Sequence, residues 1–123
     1  MYNRAANRYR NVSLQSASPA QMLGEVFHRL IADLHEGARC IEGKNVVGKA
    51  KALGHAIDLV GALASSLDHD AAPELCENLE RLYGFVQDRV LAASAKLDVA
   101  PLREAERVLV QLRDAFTEAA ARP

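Results

Sequence analysis

The residues best suited to chemistry in this chain are Glu25 and His28, an E-x-x-H unit whose spacing puts a carboxylate and an imidazole on one face of a helix. Di-iron helical bundles use this unit. They need two copies plus two further glutamates, because each metal takes imidazole and bridging carboxylates from facing helices. The sequence holds no second E-x-x-H. His28 and His35 lie seven residues apart and share a face, which reads as a solvated or partner-facing strip rather than a metal site. Cys40 and Cys76 are too few for a disulfide framework and form no C-x-x-C pair. Neither has a His, Asn or Asp at the spacing of a known nucleophile motif, so both are expected as buried thiols. There is no G-x-S-x-G, P-loop or G-x-G-x-x-G. With no catalytic group, no metal ligand set and no cofactor site, the expected activity is binding, and the protein is not expected to be an enzyme.

The elements that carry these residues follow from composition. A chain of 123 residues forms one domain that buries roughly two thirds of its unfolded surface. Half the residues are apolar but only 5% are aromatic, and Ala and Leu outnumber Val and Ile, so the fold class expected is all-α. Net charge is −1, yet the charge is segregated. Arg4, Arg8 and Arg10 stand in the first ten residues without an acid, while Asp68, Asp70, Glu74, Glu77 and Glu80 form a run without Lys or Arg. Carboxylates collect in this way at a helix N-terminus, where the macrodipole favours them. Three arginines without a basic face elsewhere do not make a nucleic-acid site. The N-terminus has no apolar core of a signal peptide, and no apolar run approaches the ~20 residues that span a bilayer. A cytoplasmic protein without membrane insertion is therefore expected.

The stretch Gln15 to Gln21 marks a boundary between a flexible basic tail, residues 1–17, and a helical body, residues 18–123. Ser18 is placed to cap, Pro19 to occupy the first helical position, and Gln21 to complete a capping box. The first helix is expected from Pro19 to about Ile41, with Leu23, Phe27, Leu30, Leu34, Ala38 and Ile41 as its apolar stripe and Met22 and Val26 beside it. Gly43 is expected to end it and Asn45 to cap the next. On the second helix Val46, Ala50, Leu53, Ile57, Val60, Ala64 and Leu67 repeat as a heptad seam. The third and fourth helices open alike, with Asp70 and Asp98 as caps and Pro73 and Pro101 in the first turn. Their stripes are Leu75, Leu79, Leu82, Val86, Val90 and Ala93, then Leu102, Ala105, Leu109, Leu112, Phe116 and Ala119. Short connections make sequential helices antiparallel, giving an up-down-up-down four-helix bundle.

Apolar surface is left over. Ala52, Ala56, Leu59 and Leu63 form a second row on the second helix, and Cys76, Tyr83 and Phe85 lie off the third stripe. Either the core face is broad, or the surplus forms a groove for a partner's amphipathic helix. Gly48, Gly54 and Gly61 fit the second account, because glycine lets another backbone approach. On it the partner site comprises Ala56, Leu59, Leu63, Tyr83 and Val86.

Nearly the whole chain resembles the flagellar secretion chaperones of the FliS type. The resemblance rests on Met1-Tyr2, Tyr9 seven residues before Ser16, Leu14, Ser16-Ala17-Ser18-Pro19, Leu67-Asp68, Leu79, Leu82-Tyr83, Ala92 or Ala93 before the turn, and Leu112-Arg113-Asp114-Ala115-Phe116. It departs from the family at Val26-Phe27-His28-Arg29-Leu30, where Leu-Tyr-Asp-Gly-Ala is usual, and at Phe116, where Trp is usual. The resemblance implies a chaperone that wraps the disordered C-terminal segment of flagellin, prevents premature polymerisation and aids delivery to the flagellar export gate. It also implies that the tail covers part of the groove when no client is bound, with Tyr9 and Leu14 as its apolar anchors. The altered first helix leaves a second role open, a helical scaffold or regulatory bundle for another amphipathic helix.

Overall fold

The structure, a computed structural model, describes residues 19–121. It is an all-α bundle of four helices: α1 Pro19–Glu42, α2 Val46–Ser65, α3 Pro73–Lys96 and α4 Ala100–Ala121. No strand occurs among the described residues. Ser18, the expected cap of α1, lies outside them, as do Tyr9 and Leu14 and the rest of the expected tail. α1 packs between α2 and α4, and α3 closes the ring against the same two helices. Asp33 meets His55 and Met22 shares a groove with Ser66, while Phe27 stacks on Phe116 and His35 meets Glu106. Residue numbers fall on α2 and on α4 as they rise on α1, so both neighbours run opposite to it.

The helix ends explain the short connections. Asn45 caps α2 as expected, its Oδ1 accepting the Gly48 N–H at 2.9 Å. The end of α1 differs from expectation, because the left-handed residue is Lys44 at φ 58° and not Gly43. Asn45 N–H reaches back to the Cys40 carbonyl at 2.8 Å and Lys44 N–H to that of Ile41 at 3.2 Å. This six-to-one and five-to-two pairing is the Schellman pattern, with lysine where glycine is the usual occupant. α3 ends in the same way on Leu97, at φ 54°, with Asp98 N–H bonded to the Ala93 carbonyl at 3.2 Å. Asp70 does not cap α3. The N-cap is Ala72, which has no side-chain acceptor to offer, and Asp68 Oδ1 instead binds the N–H groups of Asp70 and Ala71 within the connection. Asp98 does serve α4, accepting the Ala100 N–H at 3.0 Å.

Phe27, Leu30, Leu34, Leu53, Val60, Val86, Val90, Leu102 and Leu109 fill the core without measurable exposure beyond 2%. Burial of each such side chain stabilises the fold by about 1.5–3 kcal/mol relative to exposure. The core face of α2 is rotated from the expected seam. Leu53 and Val60 are shared, but Ala52, Ala56 and Leu63 turn inward while Val46 and Ala50 are exposed. On α3 the stripe shifts too, with Cys76 and Tyr83 buried and Leu75 exposed.

Candidate client-binding groove

An apolar groove lies between α1 and α2. Met22, Leu23 and Val26 come from the first two turns of α1, where i, i+1 and i+4 spacing sets them along the flank of the Phe27 stripe. Leu59, Ala62, Leu63 and Ser66 come from the end of α2, and the two sets enclose about 310 Å³. Met22 is 41% exposed and Leu63 only 5%, so the groove has an open rim and a floor continuous with the core. Further along the same pair of helices the surface becomes polar. A depression of about 430 Å³ is lined by Asp33, Glu36, Gly48, Lys51, Ala52 and His55, and the His55 and Asp33 side chains meet at 2.5 Å. Beside this polar depression α1 and α2 cross so closely that a side chain at Gly37 would run into Leu53.

The expected partner residues divide. Leu59 is half-buried and lines the groove, and Leu63 forms part of its floor. Ala56 and Val86 are 0% exposed and Tyr83 is 3%, so these three belong to the core and none lines the groove. Ala56 faces inward because the α2 seam lies one row away from the expected one, Tyr83 because the α3 stripe is shifted as well, and Val86 stays on the α3 stripe where it is also expected. What the sequence reading passed over is the contribution of α1. Its signal was present, since Met22 and Val26 form a row beside the main stripe. Leu75, Phe85 and Leu91 are also exposed on α3, with the Arg89 guanidinium 5.9 Å from the centre of the Phe85 ring.

The chemically capable residues are otherwise engaged. His35 Nε2 meets Glu106 Oε1 at 2.5 Å across α1 and α4, whereas His28 is exposed without an ion pair among the described residues. No group of three or more His, Cys, Asp and Glu among those residues is placed to hold a metal ion. Cys40 and Cys76 are both buried free thiols. Burial, and next the Glu36 carboxylate that its Sγ approaches at 3.7 Å, push the Cys40 thiol up from its ordinary 9.0, which keeps it protonated and unreactive. Burial likewise pushes the Tyr83 phenol up, with Cys76 beside it adding to the effect.

The groove thus offers shape and apolar surface and no reactive group. The pattern of the flagellar protein FliS family matches residues 1–123. The flagellar secretion chaperone FliS of Escherichia coli is 30% identical over 112 residues, spanning 90% of this chain and 82% of the relative. That of Salmonella typhimurium is 29% identical over 107 residues, 86% and 79% of the two chains. The flagellar secretion chaperone FliSB of Pseudomonas aeruginosa is 25% identical over 117 residues, 92% and 93%. With a match along its entire length, the chain belongs to the flagellar protein FliS family.

Proposed function

We propose that the protein is a cytoplasmic export chaperone whose α1–α2 groove takes the disordered C-terminal segment of flagellin as an amphipathic helix. Held there, the segment cannot polymerise before it reaches the flagellar export gate. The observation that carries this reading is the groove of Met22, Leu23, Val26, Leu59 and Leu63, an apolar furrow between two helices in a member of a flagellar chaperone family. Apolar burial offsets the ordering entropy of the client, so binding and folding of that segment are one event. Tyr9 and Leu14 are read as anchors by which the N-terminal residues cover the groove until a client displaces them. The first turns of α1 also present His28 and Arg29, both exposed, and these bias which helix is accepted.

Calorimetry with a peptide of the flagellin C-terminal segment tests the reading. Leu59→Glu places a charge at a half-buried position in the groove and is expected to weaken binding at least tenfold, the equivalent of about 1.4 kcal/mol, with the melting temperature nearly unchanged. Leu63→Glu buries an unpaired carboxylate in the floor and is expected to lower the melting temperature instead. Undiminished affinity in the folded Leu59→Glu protein would remove the groove as the client site.

A further inference from the structure

All four lysines of the chain, Lys44, Lys49, Lys51 and Lys96, fall at one end of the bundle, where the α1–α2 and α3–α4 turns lie. Lys49 Nζ donates to the Ser94 carbonyl at 3.1 Å, which ties the first turn of α2 to the end of α3. Arg103, exposed on the first turn of α4, adds another cation. The acids nearby are Asp33, Glu36, Glu42, Asp98 and Glu104, of which Asp33 meets His55 and Glu42 is exposed. Glu36 is paired with Arg39, Glu104 lies 3.8 Å from Arg89, and Asp98 accepts the Ala100 N–H. Among the described residues no lysine forms an ion pair, whereas Arg39, Arg81, Arg89 and Arg113 all do.

The same end carries the most exposed large apolar side chains of the described residues: Val47 at 80%, Val46 at 64% and Leu97 at 57%. Leu97 projects from a left-handed turn position that glycine would occupy without steric cost, so a leucine there is a side chain kept against the backbone's preference. Unpaired ammonium groups around protruding aliphatic tips make a surface that is both cationic and apolar.

We infer that this end of the bundle is a peripheral docking surface for an anionic lipid bilayer. The N-terminal residues are not its occupant, because they carry Arg4, Arg8 and Arg10 and no acid. A second copy docked end to end would set lysines against lysines. An acidic protein segment is the competing partner, but specific carboxylate recognition favours the planar fork of arginine, whereas lysine acts as a point charge suited to diffuse headgroup attraction. The chain is richer in arginine than in lysine, and yet all four of its lysines fall at this end, beside Arg103. Apolar tips that project from turns enter an interface, where a groove would be needed to hold a helix.

The test is flotation of the full-length protein with vesicles of phosphatidylcholine alone, or mixed in equal parts with phosphatidylglycerol. Binding is expected only to the mixed vesicles and is expected to weaken with salt. Lys44→Ala with Lys96→Ala should lower the partition constant about 25-fold, or about fivefold per lysine. Val47→Asp should abolish partition, and because Val47 is exposed its melting temperature should not change. A triple Arg4→Gln, Arg8→Gln, Arg10→Gln variant should retain most of the binding. Any of three results overturns the inference: no partition to the mixed vesicles, partition that depends on the N-terminal arginines and not on Lys44, Lys96 or Val47, or poly-glutamate competing in a manner abolished by Val47→Asp.

Discussion

Lys44 shows how a single side chain can sit against its backbone. It closes α1 at φ 58°, a conformation in which the Cβ of an L residue crowds the following carbonyl at a cost of about 1–2 kcal/mol, while Gly43 beside it stays out of the left-handed region. Lys44→Gly is therefore expected to raise stability by up to about 1 kcal/mol, part of the gain being returned through the greater freedom of glycine in the unfolded chain. The midpoint of urea unfolding measures it, and a fall in that midpoint would show that the lysine contributes more than its backbone costs. Gly37 is the opposite case. There the absent Cβ lets α1 lie directly on Leu53, so this glycine is set by a crossing between helices and not by a turn.

Among the described helix starts, that of α3 is weaker than that of α2. Pro73 at its first position needs no N–H partner, but Ala72 before it has no oxygen to accept the free N–H groups of the first turn. α2 has such an acceptor in Asn45. Ala72→Ser should supply the missing acceptor and stabilise by roughly 0.5–2 kcal/mol, measured as a rise in melting temperature. No change would mean that water already serves the free N–H groups of that turn, since the Asp68 carbonyl accepts the Ala72 N–H at 3.3 Å and the Cys76 thiol at 3.2 Å and so holds the connection and not the first turn.

At the scale of the molecule, the core holds two weak acids whose charged forms it opposes. Cys40 and Tyr83 are both raised above their ordinary values of 9.0 and 10.0, in each case first by burial. Above pH 9 the unfolded chain releases protons that the folded chain retains, so the folded state binds more protons and stability must fall as pH rises. Melting temperature is expected to be flat across neutral pH with respect to these two groups and to drop between about pH 9 and 11. Cys40→Ala should remove the earlier part of that drop, and an unchanged alkaline profile in the variant would exclude the thiol as its source.

The helices are legible in the residue order alone. Pro19, Asn45, Pro73 and Pro101 punctuate it, and apolar residues recur at helical spacing between them, so element number, type and approximate bounds are local properties of the chain. It also determined that Cys40 and Cys76 would be buried free thiols, because small apolar-like side chains without partners have few other places to go. The rotation of each helix about its axis depends instead on packing between helices. On α2 two adjacent apolar rows were equally helical in period, and the choice between them depends on which row meets Phe27, Leu30 and Leu34 across the Gly37 crossing. That choice sent Ala56 into the core and left Leu59 to join Met22, Leu23 and Val26 in a groove shared by two helices, while Tyr83 turned inward with the shifted stripe of α3. A groove between elements is a property of their packing, and periodicity within one helix cannot specify which neighbour will form its other wall.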